Sequence, residues 1–429
     1  MPSQYPQRQS LHNEVHARPP EAMAAPVVIT HVVMLVDAAQ RDTSRAHLAT
    51  LLSDRHLPSP DAASTHVRMD LGAYRIRWEM HTEFVTWTFI RPVEAALLEA
   101  QPELTASQAV PQAWLAALPG HCLSSMNLWV MPISTSDSQA LVQQLLLEET
   151  LVASTVADGC GEVYTDFAIH PDGFSRMLLL VGAIAPRRLG RLVQQLLEIE
   201  TYRMAALMGL PAAREASYVL ASAERELAEL AEAIRSASRA EEPQLLNRLT
   251  RLAGQVESQY AASHSRFSAS SAYFELVDMR ISDIAESRLA GLQTVREFMD
   301  RRLSPARSTC QWAVRRQDGL SQRVSRISNQ LRTRVEIEQQ QSNQALLAAM
   351  NDRQGLQLKL QSTVEGLSVA AITYYIVGLI GYLAKGAKEL GWPLSYEVTT
   401  ALTIPLVALG VWWFIRRIHL RLVGHPASD

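Results

Sequence analysis

The sequence has little lysine, little cysteine and no excess of positive charge. Only Lys359, Lys385 and Lys388 are lysines among 40 basic residues, so a single arginine carries little functional weight here. None of the three cysteines belongs to a CxxC pair, which excludes a zinc ribbon or a redox dithiol. Such a sparse set predicts buried reduced thiols in a cytosolic body. The net charge of −3 excludes a globally basic nucleic-acid-binding protein, so no nucleic-acid partner is expected.

The motifs of the common enzyme classes are also missing. There is no GxGxxG fingerprint, no Walker A loop and no GxSxG elbow, so no standard enzyme is predicted. The N-terminus lacks the apolar run of a secretory signal, which predicts that the body of the chain lies in the cytosol. A hydrophobic content of 48% is typical of a soluble globular protein, but this average conceals two concentrated apolar segments.

These apolar segments are residues 366–384 and 398–415, and neither contains a charged residue. At 1.5 Å per residue each would span about 27–28 Å, close to the roughly 30 Å hydrocarbon core of a bilayer. They predict a transmembrane hairpin whose partner is the lipid bilayer. Arg416 and Arg417 follow the second span, and the positive-inside rule places such a cluster in the cytoplasm. Two spans then leave the N-terminus in the cytoplasm too, with the loop 385–397 outside.

The rest of the chain divides into an α/β (or α+β) domain and a helical region. Residues 26–186 alternate strand-like and helix-like patterns. From 187 to 365 apolar residues recur three and four positions apart, which predicts a helical, coiled-coil-like stalk. Helix breaks are expected at 209–211, 242–243 and 304–305. After residue 305 no proline occurs until Pro393, so one helix of roughly 120 Å is expected from about 307 into the first span.

This organisation predicts five parts and an oligomer. They are an N-terminal arm (1–25), the α/β domain (26–186), the stalk (187–365), two transmembrane helices (366–415) and a basic tail (416–429). An apolar stripe on so long a helix cannot be covered by that helix alone. Neighbouring helices or other subunits must cover it, which favours a homo-oligomer.

Two clusters contain residue types that could bind a ligand. The N-terminal arm holds His12, Glu14, His16 and Arg18, and imidazoles with a carboxylate can bind zinc or another divalent metal. The alternative is an ordered arm hydrogen-bonded to the α/β domain. Residues 74–84 alternate strictly, which predicts a half-buried strand. One of its faces carries Glu79, His81 and Glu83, either towards solvent or an interface, or as a metal or acid–base site.

An arginine-rich stretch begins at Arg301. It contains nine arginines up to residue 335, against a single acid, Asp318. One interpretation is a solvated face, or a face paired with acids of the preceding helices. The other is a site for an anion, for which the candidate residues are Arg315, Arg316, Arg323 and Arg326.

Two resemblances follow from the text of the sequence. The combination of LHNEVHARPPEA (11–22), RWEMHTEFVTWTF (77–89) and TVEGLSVAAITYYIVGLIGYLAKG (363–386) resembles a bacterial family of uncharacterised membrane-anchored proteins with a domain of unknown function. That resemblance covers nearly the whole chain. It implies a bacterial inner-membrane protein and supplies no activity.

The second resemblance is architectural, to the CorA-type magnesium channels. A cytosolic α/β domain, a helical stalk, two C-terminal spans and a basic tail are similar to that family, as is the loop KELGWPLSY (388–396). A shared assembly would imply a pentamer. The family's Gly-Met-Asn motif is absent, because the matching stretch 381–385 reads GYLAK. A lysine at that mouth would repel a divalent cation.

Three hypotheses for function follow. The first is a membrane-anchored, homo-oligomeric scaffold, sensor or regulator. The second is a divergent ion channel or transporter, with Thr373, Tyr374 and Gly378 facing the pore. The third is a metal-dependent enzyme that uses the His12 cluster.

Overall fold

The computed structural model describes residues 5–9, 12, 19–133, 138–389, 393 and 395–423. A mixed α/β sheet domain comes first, then long helices and a C-terminal apolar helix, so the predicted fold class is confirmed. The chain forms two compact units, Met1–Ser328 and Asn329–Asp429. The predicted boundary at residue 186 falls inside the first unit, because the helices that follow it share a core with the sheet.

Nine strands of the described residues form one sheet. They are β1 Val27–Leu35, β2 His66–Asp70, β3 Arg75–Met80, β4 Phe84–Pro92, β5 His121–Pro132, β6 Val152–Val156, β7 Gly161–Thr165, β8 Ser175–Val181 and β9 Ser287–Arg288. Their order is β2-β3-β4-β1-β5-β8-β7-β6-β9. Neighbouring strands are antiparallel except β5 and β8, which are parallel. The apolar run of β1 therefore lies near the centre, where a strand is buried on both faces.

Helices cover both faces of the sheet. They are α1 Ala38–Ser53, α2 Ala95–Ala100, α3 Gln112–Ala116, α4 Ser138–Leu145, α5 Pro186–Leu207, α6 Gly209–Ser236, α7 Glu242–Asp283, α8 Val295–Arg302, α9 Ser304–Glu389 and α10 Tyr396–Val423. One apolar core packs a sheet face against α5, α7 and α8, and a second packs the other face against α1 to α4.

The prediction that β3 is half-buried is wrong. Ile76 and Trp78 are buried in the second core, as expected for its apolar face. The opposite face is buried as well, because α5 packs above it: Arg77 and Glu79 are only 4% and 6% exposed. Strict alternation therefore assigned these side chains to the two faces of the strand correctly, but it did not indicate that α5 covers the polar face as well.

The predicted helix breaks are confirmed. α5 ends at Leu207 before α6 begins at Gly209, α7 begins at Glu242 with Pro243 in its first turn, and α9 begins at Ser304. A proline is tolerated there because the first amide groups of a helix have no intrahelical partner. α9 is a single helix of 86 residues, so the prediction of one helix that runs into the first apolar segment is confirmed.

The second unit contains the two apolar helices. By length and composition, the end of α9 and most of α10 are able to cross a membrane. Within this unit they pack through small side chains. A Cβ atom at Gly381 would lie 3.1 Å from the ring of Tyr396 and 3.2 Å from the methyl group of Thr400, so only glycine fits this crossing without a shift.

Candidate functional site

A cluster of polar side chains interrupts the apolar face of the sheet beneath α5. Its members are all buried and come from three strands and one helix: His31, Arg77, Glu79, Thr86, Thr88 and Thr201. We call this set the sheet-face cluster. Strand register brings it together, because Thr88 of β4 lies opposite both His31 of β1 and Arg77 of β3. Glu79 lies opposite Thr86 in the same way. The cluster therefore ties three strands to α5.

His31 bridges the sheet and α5 through both ring nitrogens. Nδ1 lies 2.8 Å from the Thr88 hydroxyl, and Nε2 lies 3.1 Å from the Thr201 hydroxyl. Thr201 already donates its single proton to the Leu197 carbonyl at 2.9 Å. Nε2 must therefore carry the imidazole proton and donate it to Thr201, while Nδ1 accepts from Thr88. Burial, with smaller effects of Arg77 and His81, lowers the pKa of His31 to about 3, so the ring is neutral at physiological pH.

A small cavity lies beside His31 and is also lined by Arg77, Glu79, His81 and Thr86. Arg77 Nε lies 3.5 Å from Glu79 Oε2, close enough for an ion pair. Among the described residues, Arg77 Nε and Thr86 Oγ1 are buried without a hydrogen-bond partner. The cavity holds about 20 Å³, which is enough for one water molecule and too small for an organic substrate. The arrangement therefore suits a single water molecule.

Glu83 belongs to a separate contact at the turn between β3 and β4. Its carboxylate accepts two hydrogen bonds of 2.9 Å from Arg266 and one of 3.0 Å from the Tyr273 hydroxyl. Burial, reinforced by the Glu83 carboxylate, raises the pKa of Tyr273. A forked pair of this kind fixes geometry as well as charge. It fastens the β3–β4 turn to α7.

The structure thus divides the predicted Glu79–His81–Glu83 face. Glu79 and His81 line the same cavity, whereas Glu83 is engaged by α7. His81 stacks on Phe84 with ring centroids 4.6 Å apart. His12 is exposed, and Glu14, His16 and Arg18 lie outside the described residues. Within the described part of the chain, no group of three or more His, Cys, Asp or Glu side chains is placed to hold a metal ion.

The arginine-rich stretch of α9 is partly neutralised by acids from earlier helices. Arg316 forms a forked pair with Glu224 of α6 at 3.0 and 2.6 Å, and Arg323 reaches the same carboxylate at 3.3 Å. Hydrogen bonding to Arg316 lowers the pKa of Glu224. Arg315 instead lines a groove between α7 and α9, and Arg326 is exposed. The four predicted anion-binding residues are therefore not one patch.

The predicted pore residues do not share one face of α9. Thr373 is 8% exposed, whereas Tyr374 is 77% exposed. Gly378 is also exposed, and a Cβ atom added there would meet nothing within 4 Å. An axial pore would need all three on one side. Their roles in conduction stay a prediction.

Sequence reasoning missed His31, Thr201 and the nearby Glu200. Glu200 is a buried carboxylate that accepts two hydrogen bonds from Arg203 and one from Ser124. A signal for His31 was present, because a polar residue within the apolar run VVITHVVML requires a buried partner. That partner comes from α5, 170 residues later, and no local pattern indicates it.

The comparisons with known proteins give one match. A family model described as "Protein of unknown function" (DUF3422) matches residues 3–422. Neither a curated protein nor a solved structure matches the chain. The resemblance to the CorA-type magnesium channels stays a prediction.

Proposed function

The chain belongs to the DUF3422 family of proteins of unknown function, and we propose that it is a homo-oligomeric scaffold, sensor or regulator anchored in the bacterial inner membrane. Its α9 and α10 helices would cross the bilayer, and its α/β body would lie in the cytoplasm. No activity is assigned to the family, so each part of the proposal is argued from physical features of this chain.

The uncovered state of the two apolar helices carries the proposal. Only 6% of the apolar window of α9, and none of that of α10, is buried. A core helix of a soluble protein would be mostly buried, and a signal sequence would lie near the N-terminus. Large side chains such as Leu379 and Leu406 are more than 60% exposed. A surface of this kind in water is strongly unfavourable, and a bilayer would cover it.

The ends of α10 fit the same proposal. Arg416 lies over the ring of Trp412 at 5.0 Å, and Arg417 lies over Trp413 at 4.9 Å. Tryptophan and arginine are typical of membrane–water interfaces, and arginine clusters favour the cytoplasmic side. With two spans, the start of α9 would then lie on the same side.

A stripe of exposed apolar residues on α9 supports self-association. Before the apolar window, Leu346, Met350, Leu360 and Val364 are 53–62% exposed. Leu346 and Val364 are 18 residues apart, or five turns at 3.6 residues per turn, so they lie on one face. We call these four residues the α9 stripe. A second copy of the same helix would bury it in the manner of a coiled coil.

The sheet-face cluster supports a role in binding or regulation rather than turnover of an organic substrate. Its cavity admits one water-sized group, and the hydrogen bonds of His31 join β1 to β4 and to α5. Such a network favours one fixed arrangement of α5 on the sheet.

Two charge substitutions separate the parts of the proposal. Leu379→Arg places a charge in the apolar window, where arginine costs about 2.5–3.5 kcal/mol at the centre of a span. We expect a lower fraction of protein that resists alkaline extraction from membranes. Leu346→Arg is the matched control, because it makes the same change at a similarly exposed leucine of the same helix.

Leu346→Arg should stay in the membrane and instead weaken cross-linked oligomers. If Leu379→Arg is integrated as fully as the unsubstituted protein, the membrane placement is wrong. If the unsubstituted protein yields only monomers on cross-linking in native membranes, the oligomer is wrong. Ser395→Cys, labelled with an impermeant maleimide from outside intact inner membranes, checks the orientation.

A further inference from the structure

A groove in the first compact unit runs between α7 and the start of α9. Its volume is about 550 Å³, within the range of roughly 300–1,000 Å³ typical of small-molecule sites. α7 contributes small side chains to it, namely Ser268, Ser271 and Ala272. Larger residues at these three exposed positions would fill the space, so the depth of the groove follows from the sequence.

The floor of the groove is apolar. Phe267, Phe274 and Cys310 lie there and are 4%, 2% and 5% exposed, with Val314 beside them. Burial raises the pKa of Cys310, so its thiol is neutral and behaves as a small apolar group. The floor offers contacts to an apolar molecule and no strong hydrogen-bonding group.

The charges of the groove are unequal at its two ends. Arg307 is already neutralised, because it pairs with Asp278 at 2.8 Å and donates to the Phe274 carbonyl at 2.9 Å. Arg315 forms no ion pair with any described residue. It lies towards the other end, where the hydrogen bond from Gln317 to Ser263 joins α9 to the turn of α7 that carries His264. Glu275 lies at the Arg307 end. Glu275 and His264 are 11 residues apart on α7, or about 16 Å at 1.5 Å per residue.

We propose that this groove binds a small amphipathic anion, a monocarboxylate with an extended apolar chain. The chain would lie on Phe267, Phe274 and Cys310, and the carboxylate would pair with Arg315. Arginine forms forked hydrogen bonds to a carboxylate, which makes it suited to this end. Glu275 at the opposite end disfavours the reverse orientation. The site goes beyond the proposed function and does not depend on a membrane location of the later helices.

The test uses the full chain in lipid nanodiscs and measures equilibrium binding of labelled dodecanoate, with partition into empty nanodiscs subtracted. We expect saturable binding of one molecule per chain. Ser271→Leu fills the groove and should abolish that binding. Ser265→Leu adds the same bulk to the same helix outside the groove and should leave it unchanged. Ala272→Leu repeats the obstruction, so that a folding defect of one variant cannot decide the result.

The head group is tested separately. Arg315→Gln should weaken dodecanoate binding about tenfold or more, because a charge-assisted hydrogen bond is lost. Arg326→Gln, an exposed arginine of the same helix that does not line the groove, should have no effect. Dodecanol and inorganic phosphate should each bind more weakly than dodecanoate.

Three results would overturn the inference. The first is no saturable binding by the unsubstituted chain. The second is binding that both Ser271→Leu and Ala272→Leu leave intact. The third is that Ser271→Leu and Ala272→Leu lose their cross-linked oligomers while the unsubstituted chain binds no dodecanoate. That result would assign the groove to a second copy of the chain.

Discussion

Apolar side chains are buried in the body of the protein and exposed on its C-terminal helices. On α9 itself, Leu320 and Val324 are 0% and 1% exposed, whereas Leu346 and Leu360 are 62% and 60% exposed. In both parts of α9 the apolar residues recur at the spacing of a helical face. The early turns are covered by other parts of the body, and no described residue covers the later ones. The same helical spacing of apolar residues therefore accompanies a buried core in one region. In the other region it accompanies an exposed apolar surface, which lipid or a partner would cover.

The largest expected difference between the regions comes from removal of an apolar side chain. Phe89→Ala opens a cavity in the core of the body, because Phe89 is fully buried between Tyr74 and Trp114. We expect it to lower the free energy of unfolding by about 3–5 kcal/mol. Unfolding of the full chain by denaturant, followed by tryptophan fluorescence, measures the change.

Ile337→Ala is the counterpart on the exposed part of α9. Ile337 is 51% exposed and points away from the α9 stripe, so its removal should change the free energy of unfolding by less than about 0.5 kcal/mol. Equal losses for Phe89→Ala and Ile337→Ala would mean that a partner covers that face of α9 in solution. Such a result would break the contrast between the two regions.

A smaller difference is expected between two threonines that make the same helical hydrogen bond. Thr201 donates to Leu197 and Thr333 donates to Asn329, each to the carbonyl four residues earlier. Only Thr201 also accepts the buried Nε2 proton of His31. Thr201→Val leaves that donor unpaired and should cost about 1–3 kcal/mol of stability.

Thr333→Val is exposed and should cost less than about 0.5 kcal/mol. Both variants have the same shape change, so the comparison isolates the contact with His31. A loss in Thr201→Val no larger than in Thr333→Val would show that His31 does not depend on this hydroxyl.

Most helices and strands of this fold could be predicted from the sequence, but the contacts between them could not. The run 27–35, the alternation of 75–80 and the proline-free length of α9 each follow from local periodicity. β2 was missed, because its residues at the sheet edge are only half buried and their alternation is weak. β9 was missed because two residues carry no pattern.

The candidate site could be predicted only in part, because contacts between distant parts of the chain determine it. Glu79 and His81 were singled out by their density on one strand face, and they do line one cavity. Whether that face met water depended on α5, which begins more than 100 residues later. For Arg316 the sequence left two interpretations open, an external anion or an acid of a preceding helix, and the structure pairs it with Glu224 of α6. Long-range pairing decides such cases, and periodicity does not report it.

The smallest expected effect concerns the pH dependence of the body. His31 faces Arg77, Glu79 and His81, and its pKa in the folded protein is about 3. In the unfolded chain a histidine titrates near 6.5, so below that pH the unfolded state binds a proton that the folded state does not. The free energy of unfolding therefore falls as the pH drops from about 6.5 towards 3. By pH 5.5 this histidine alone should account for a loss of about 1.4 kcal/mol.

His31→Gln is expected to remove this share of the pH dependence, because the amide can still donate to Thr201 and does not titrate. Unfolding curves of both proteins at pH 7 and 5.5 measure this fall in the free energy of unfolding. If His31→Gln loses as much stability between these pH values as the unsubstituted protein, His31 is not the group responsible. Membrane integration should not respond over the same range, because the apolar segment 366–384 carries no charge. Acid would then destabilise the region that buries a neutral histidine and leave unchanged the apolar helices that we propose to lie in lipid. A pH titration therefore separates the two regions.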